Sequence, residues 1–500
     1  LEEVTAPEGY EKNDPIEFTV DSDGEVTVTS KDAPAEMGED GTVEVLTVKD
    51  TPIQVSFLKR LVGDRVETGV AGAEFTLTPE EGKTFADGSE KITFTSGKEA
   101  EVIEGKLIGG DSYTLTETKA PEGSMALTEA APELYSVTFK VDVYGVIWGL
   151  KDDAEADGVM LTYDAASDRM TFWNEPTALT VFKRDMAALG SGDDPILAGC
   201  TFAVTGRFAA GRYPWNVSVQ GTGGRETIQM TTDGSDTAEN ALKGRLIVGE
   251  TYHMEEISAP SGYELGMDVT FTVTGVRKNV DGKAALVIEL SGESGAEGNQ
   301  GYWISYDASG NPVITQRDEP VEVRFQKTDM EGRPLAGAGF SVTGRFADGS
   351  GEETRTFETD SQGRVDLTKI LIESQGDSDM IYRVRETKAP SGYIGLESEM
   401  AFKLISEKQS DGKRRTVVQI LYGEGLTPES YKDYLKAEAA ETDVDVQVLS
   451  IANPKIPEEV PANKGNGVQT GDLSNIGLCM MLLIISGVIL LYDVKKYKKQ

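Results

Sequence analysis

Between residues 53 and 455 the chain is a succession of short runs in which apolar and polar residues alternate. Val137-Thr-Phe139-Lys-Val141 and Val269-Thr-Phe271-Thr-Val273 are examples. A period of two places successive side chains on opposite faces of a β-strand. Asp-Gly, Glu-Gly and Gln-Gly pairs punctuate the runs, as at Asp23-Gly24 and Glu331-Gly332, and such pairs favour hairpin turns. Many short strands with few helical patterns predict an all-β chain of sandwich domains. One stretch, Pro428 to Ala440, reads instead as helical.

The runs are organised by an internal repeat. Tyr113-Thr-Leu115-Thr-Glu117-Thr-Lys-Ala-Pro121-Glu-Gly123 recurs as Tyr252-His-Met254-Glu-Glu256-Ile-Ser-Ala-Pro260-Ser-Gly262-Tyr263, and as Tyr382-Arg-Val384-Arg-Glu386-Thr-Lys-Ala-Pro390-Ser-Gly392-Tyr393. A shortened copy opens the chain, Leu1-Glu-Glu3-Val-Thr-Ala-Pro7-Glu-Gly9-Tyr10. A second motif precedes each whole box: Ala71-Gly72-Ala73-Glu-Phe75, Leu197-Ala-Gly199-Cys200-Thr-Phe202 and Leu335-Ala-Gly337-Ala338-Gly-Phe340. Repetition at this period means tandem domains. The predicted organisation is a C-terminal remnant over 1–52, three whole domains over 53–176, 177–320 and 321–455, and a tail.

Charged and amide side chains interrupt the apolar faces at recurring places. Tyr113 and Leu115 share a face with Glu117, Tyr252 and Met254 with Glu256, and Tyr382 and Val384 with Glu386. At the start of each domain Val55 and Phe57 share a face with Lys59, Leu179 and Val181 with Lys183, and Val323 and Phe325 with Lys327. In the last strands Met170 and Phe172 precede Asn174, Leu449 and Ile451 precede Asn453, and Leu46 and Val48 precede Asp50. Asp318 follows polar Gln316 on its face, but Thr-Gln-Arg-Asp318-Glu-Pro aligns with Thr-Phe-Trp-Asn174-Glu-Pro. A carboxylate or ammonium pointing into a core is costly unless neutral or paired. Each whole domain is therefore expected to bury a trio of Lys, Glu and Asn or Asp. The residues alone leave two readings open. The trio is a buried ion pair, or it is a reaction centre in which burial lowers the lysine pKa and raises the glutamate pKa, giving a nucleophilic amine beside a proton carrier.

The tail has a different pattern. Pro454 to Asn475 is rich in Pro, Gly and Asn, and residues 456–475 read as a flexible spacer. Residues 476–492 carry no charge, and as a helix they would span roughly 26 Å at about 1.5 Å per residue, enough for a short transmembrane helix. Lys495, Lys496, Lys498 and Lys499 lie in the last segment, 493–500, and predict a cytoplasmic end.

Composition narrows the function classes. Of 500 residues 85 are acidic and 48 basic, a formal net charge of −37. That excludes a nucleic-acid surface, which needs clustered Lys and Arg, and suits an extracellular, self-repelling chain. Cys200 and Cys479 lie far apart in different patterns, so no disulfide is expected. His253 is the sole histidine, which argues against His-based triads and His-rich metal sites. No metal or cofactor is expected. Asp21-Ser-Asp23-Gly24-Glu25 lacks the ligand spacing of a calcium loop and reads as a hairpin turn. Trp148, Trp173, Trp215 and Trp303 are assigned to core or edge packing.

The recurring Glu-centred box with its Ala-Pro-x-Gly tail, together with the Gly-Ala-x-Phe motif, resembles the Cna B-type (prealbumin-like) repeats of Gram-positive adhesins and pilins, from residue 1 to about 455. The resemblance implies tandem prealbumin-like, Ig-like sandwiches. It also implies an intramolecular isopeptide bond in each, from Lys59 to Asn174, Lys183 to Asp318 and Lys327 to Asn453, with Glu117, Glu256 and Glu386 as proton shuttles and Glu3 and Asp50 as the remnant's counterparts. Val468-Gln469-Thr470-Gly471-Asp472, followed by the apolar run and basic end, resembles an LPxTG-type sortase signal, with Gly467-Val468 in place of Leu-Pro. That implies cleavage between Thr470 and Gly471 by a sortase and attachment to peptidoglycan in the cell wall. Tyr213-Pro214-Trp215-Asn216 is similar to a pilin motif but has Trp215 where the linking lysine would stand, and reads as a loop.

The expected function is a cell-wall-anchored surface protein. Its stalk of self-crosslinking domains would present an adhesive N-terminal region on the extracellular surface to a ligand the sequence does not identify. Two other readings are a pilus subunit and the stalk of a surface enzyme whose catalytic domain lies elsewhere. No turnover chemistry is expected within these residues, since each trio is consumed by its own product.

Overall fold

The alternating runs form strands because each pairs its backbone into a sheet while turning one side-chain face inward. The computed structural model describes residues 1–457, except 32–34, 41–42, 129–130, 150–159, 212–218, 223, 235–241, 292–300, 375–379, 411–412, 442 and 444. Trp215, most of the predicted spacer, the motif Val468 to Gly471 and the apolar run 476–492 lie outside the described residues. Among the described residues the helical segments are short 3-10 turns, and no helix is long and apolar enough to cross a membrane.

Strands from residue 54 onward sort into three pairs of sheets. In the first pair, Arg169–Pro176 lies between Ser124–Met125 and Gln54–Leu61, with Glu101–Glu104 beyond and Met160–Asp164 also on Arg169–Pro176. The facing sheet runs Ile147–Trp148, Ser136–Val141, Ser112–Lys119, Glu74–Pro79, Ile92–Thr95. Phe57, Phe75, Tyr113, Leu115, Phe139 and Phe172 fill the space between them. The second pair joins Thr180–Asp185 and Pro312–Asp318 with the sheet centred on Ala198–Gly206 and Thr251–Ser258. The third joins Val323–Asp329 and Gln447–Asn453 with the sheet centred on Gly339–Arg345 and Tyr382–Lys388. Separate apolar clusters occupy these two as well.

In every pair the first and last strands run parallel. Phe172 stands opposite Lys59, Gln316 opposite Lys183, and Ile451 opposite Lys327. The acceptor residue therefore lies two positions beyond the lysine's cross-strand partner, on the same face.

The box tyrosines are held by both ends. Tyr113, Tyr252 and Tyr382 are almost wholly buried, and their hydroxyls accept hydrogen bonds from the backbone N–H groups of Ile108, Ile247 and Ile372. A buried hydroxyl without such a partner would be costly.

The Ala-Pro-x-Gly tails meet the start of the following sandwich. The Gly9, Gly123 and Gly262 carbonyls accept from the N–H groups of Ile53, Thr177 and Val321, each at 2.9 Å. The three glycines have φ of +90°, +81° and +84°, and a Cβ there would lie 2.5 Å from Gly105 O, 2.3 Å from Gly244 O and 2.9 Å from Lys369 O. Backbone conformation and close approach both demand glycine. Gly392 has the same φ, +86°, but a Cβ would meet nothing within 4 Å.

Two expectations concern local structure. Asp21 to Glu25 is the hairpin turn: Asp21 Oδ1 accepts from the N–H of Asp23 and of Glu25, each at 2.9 Å, between Phe18–Val20 and Val26–Val28. Pro428 to Ala440 is not helical. A 3-10 turn over Glu429–Tyr431 leads into the strand Leu435–Ala439, which pairs antiparallel with Gln447–Asn453. The Lys-Ala-Glu-Ala composition favours helix, but Leu435 is buried opposite Ile451, and that tertiary pairing outweighs a weak local propensity.

Candidate functional site

Each sandwich closes over a lysine. Lys59, Lys183 and Lys327 sit on first strands with alternating burial and are at most 1% exposed. Glu117, Glu256 and Glu386 approach from the opposite sheet. Each is paired in register with the phenylalanine of the second motif: Phe75 with Glu117, Phe202 with Glu256, Phe340 with Glu386. A register shift follows immediately in all three. The two sequence motifs recur together because they are cross-strand partners. The phenylalanine also lies beneath the amine, with Nζ 5.8, 5.5 and 5.9 Å from the ring centroids of Phe75, Phe202 and Phe340, a cation–π distance.

In the first sandwich Glu117 joins the other two members. Its Oε2 accepts from Lys59 Nζ at 2.9 Å and its Oε1 from Asn174 Nδ2 at 3.0 Å. In the third, Glu386 Oε1 accepts from Asn453 Nδ2 at 2.8 Å and lies 3.3 Å from Lys327 Nζ. Its Oε2 accepts from the Leu396 N–H at 2.8 Å, and Lys327 also donates to Asn453 Oδ1. Both amide side chains thus present their nitrogen to the glutamate.

The second sandwich is more polar. Lys183 Nζ donates to Glu256 Oε2 at 2.7 Å and to Gln316 Oε1 at 2.9 Å, and is ion-paired with Asp318. Glu256 Oε2 also accepts from the Gly266 N–H at 2.5 Å. A Cβ on Gly266 would lie 2.7 Å from side-chain atoms of Asp318, Gln316 and Glu256, so only glycine lets the backbone reach this cluster. Cys200, a buried free thiol, donates to Glu256 Oε1 at 3.1 Å.

The electrostatics separate the sites. Burial pushes the Lys59 amine below the usual lysine range despite the opposing pull of Glu117, and pushes Lys327 down to about 8. At Lys183 burial acts in the same direction but is outweighed by Asp318, then Glu256 and Cys200, and the net shift is upward. Burial, followed by Glu256 among the groups acting in that direction, holds Asp318 well above the normal carboxyl range against the pull of Lys183. Two carboxyls facing one amine in a dry site do not both ionise readily.

Near the N-terminus the expected pair is arranged differently. Glu3 Oε2 accepts from the Asn13 N–H at 2.8 Å, and Asn13 Nδ2 donates to Asp50 Oδ1 at 2.6 Å. Glu3 and Asp50 are joined through Asn13, and both are only half-buried.

The structure brings the nine trio residues named from the sequence together in three buried clusters. The sequence pattern did not single out the phenylalanine floor, Gln316 as a lysine ligand, or Cys200. The signal for Cys200 was its place in the second motif, where the other two copies carry Ala73 and Ala338.

Comparison with known proteins bears on the fold. Residues 62–144 and 321–416 match the family described as SpaA, prealbumin-like fold domain. The matched segments contain Glu117, Lys327 and Glu386. No curated protein matches the chain. Among solved structures, the pilus adhesin SpaC of Lactobacillus rhamnosus GG aligns at 17% identity over 84% of this chain and 46% of that one, with a TM-score of 0.32. The major pilin subunit BcpA of Bacillus cereus aligns at 16% identity over 81% of this chain and 99% of its own, TM-score 0.20. A streptococcal ancillary pilin aligns at 14% identity over 81% and 99%, TM-score 0.22. The chain spans about half the length of the SpaC adhesin it aligns with.

Proposed function

We propose that this chain is the stalk region of a surface protein of a Gram-positive bacterium, attached to the cell wall, and that its domains 53–176, 177–320 and 321–455 cross-link themselves. The observation that carries the proposal is the threefold recurrence of a buried Lys–Glu–Asn/Asp trio tying first strand to last. In the proposed reaction the lysine amine, in its neutral form, attacks the side-chain carbonyl carbon of Asn174, Asp318 or Asn453; Lys183, whose pKa is held up, first passes a proton to its ion-pair partner Asp318. The new C–N bond replaces the bond to the leaving group, which departs as ammonia from asparagine or water from aspartate. The glutamate carries the proton from amine to leaving group. Burial of Lys59 and Lys327 favours the neutral nucleophile.

Such a bond would brace each sandwich without disulfides, in keeping with a chain whose charge of −37 suits an exposed extracellular life. The tail completes the proposal. A sortase would cleave after Thr470 and join it to peptidoglycan, and the apolar run 476–492 would hold the precursor in the membrane beforehand. The test is the intact mass of the full chain, which should be lower than the sequence mass by two ammonia molecules and one water. A mass equal to the sequence mass in folded protein leaves three buried ion pairs. Anchoring is tested separately: Thr470→Ala should move the protein from the wall fraction to the membrane or medium, and unchanged wall attachment would overturn that part. A pilus subunit is the second reading, favoured by the SpaA-type match. Covalent ladders on denaturing gels of wall extracts would distinguish it from a single-chain stalk.

A further inference from the structure

The middle sandwich differs from its neighbours at three places around one lysine, and the differences compensate one another. Its acceptor is Asp318 where the others have Asn174 and Asn453. In those two sandwiches the amide nitrogen donates to Glu117 Oε1 at 3.0 Å and to Glu386 Oε1 at 2.8 Å. That bond fixes the glutamate and places the leaving nitrogen on the proton carrier. An aspartate has no N–H, and in the carboxylate form that is ion-paired with Lys183 it offers Glu256 Oε1 no donor.

Cys200 occupies that oxygen instead, Sγ to Oε1 at 3.1 Å. The position is structurally equivalent to Ala73 and Ala338. The Cys200 N–H donates to Thr232 Oγ1, the Ala73 N–H to Ser96 Oγ, and the Ala338 N–H to Thr359 Oγ1. Those hydroxyls donate in turn to the carbonyls of Leu197, Val70 and Leu335. Identical scaffolding with an added thiol only in the aspartate sandwich points to a specific task. Burial, with Glu256 and Asp318 nearby, raises the thiol pKa against the pull of Lys183, so the sulfur keeps its proton and acts as a donor.

Building on the cross-linking reading above, we propose that Cys200 is a positioning residue for the Lys183–Asp318 bond: its S–H replaces the missing amide N–H and holds Glu256 with Oε2 on the amine. Gln316 completes the arrangement. It stands where Phe172 and Ile451 stand in the other sandwiches, and its Oε1 accepts from Lys183 at 2.9 Å while its Nε2 donates to the Met267 carbonyl at 2.5 Å. Its nitrogen is engaged by the Met267 carbonyl and its oxygen by the amine, so Gln316 aims the amine and Asp318 receives it. In the step itself Lys183 first passes a proton to the Asp318 carboxylate it is paired with. The neutral Nζ then bonds to Asp318 Cγ, the Cγ–O bond to the carboxyl hydroxyl breaks, a second proton travels from the amine through Glu256 to that oxygen, and water leaves.

The experiment follows the three cross-linked peptides in the full chain by mass spectrometry, over time after a pulse of synthesis. Cys200→Ala should slow the Lys183–Asp318 peptide by about tenfold, the worth of one hydrogen bond to a charged group, with the Lys59–Asn174 and Lys327–Asn453 peptides as unchanged internal standards. Cys200→Ser, which keeps a donor, should retain most of the rate. Cys200→Ala combined with Asp318→Asn should recover it and release ammonia, because the asparagine brings its own N–H. Wild-type rate in Cys200→Ala, or no recovery in the double variant, would overturn the role of Cys200 while leaving the cross-link intact. Absence of the Lys183–Asp318 peptide from the wild type, or a Lys183–Gln316 peptide in its place, would overturn the underlying assignment for this sandwich as well.

Discussion

Asn174→Ala gives the sharpest separation between a covalent trio and an ionic one. Asn174 is 3% exposed and its amide touches Glu117, so the substitution removes the acceptor but leaves the Lys59–Glu117 pair at 2.9 Å in place. A Lys59–Asn174 bond closes a loop of 116 residues counting both ends. The chain-entropy treatment values a cross-link over about 100 residues at roughly 4–5 kcal/mol. For a domain of about 120 residues each kcal/mol moves the melting temperature by about 3–5 °C. Losing the bond should therefore lower the transition of this sandwich by about 12–25 °C, a large share of a stability of about 5–15 kcal/mol. Scanning calorimetry of the full chain reads the shift, and intact mass reads the chemistry. The variant should release one ammonia fewer than the wild type. Equal ammonia loss in the two proteins, or a shift below about 5 °C with the wild type at its unreacted mass, would refute the covalent reading. A drop that small is what one side-chain hydrogen bond is worth.

Other outcomes follow from particular residues. Formation of the Lys327–Asn453 bond in freshly folded protein should accelerate as pH rises and level off above about 8, where the Lys327 amine is neutral; a rate independent of pH between 6 and 9 would count against an amine nucleophile. Glu264 and Glu373 are buried near Thr416, which donates its N–H to Glu264 and its hydroxyl to Glu373, and burial raises their pKa to about 8 and about 7. A carboxyl raised in the folded state binds more protons there than when unfolded, so its stabilising share is complete below about 4.5 and is lost as pH climbs through 7–8. The thermal midpoint should fall across that window, and Glu264→Gln with Glu373→Gln should flatten the fall. Gly262→Ala should destabilise by more than the roughly 1–2 kcal/mol expected for a left-handed residue, because its Cβ would press on Lys369 O at 2.9 Å, whereas Gly392→Ala has open space and should stay within that figure. Equal losses in the two variants, measured by denaturant titration, would show that the junction contributes nothing.

Much of this protein was written locally. A period of two declares strands whatever surrounds them, because strand side chains alternate by covalent geometry. A Lys or Glu set among Val, Phe and Tyr on one face can only be buried or break the sheet, so Lys59, Glu117 and Asn174 could be named together before any strand order was known. Other features depended on which strand lies beside which. The pairing of Phe75 with Glu117, and its equivalents, joins segments between 42 and 54 residues apart. No local pattern says that the first motif faces the second. The strand Leu435–Ala439 has helical composition and becomes a strand only because Gln447–Asn453 offers it an edge. Cys200 looked like any small core residue until folding set its sulfur 3.1 Å from Glu256, in place of a hydrogen bond that an asparagine supplies elsewhere. The glycines of the Ala-Pro-x-Gly tails recur as part of a motif, yet only the fold reveals that Gly123 and Gly262 are held to glycine by the neighbouring sandwich. The sequence determined most of the strands and the inward charges, since both follow from the spacing of residues along one segment. The partners of those charges were decided by tertiary structure, since contact between distant segments depends on register, strand order and the close approach of backbones.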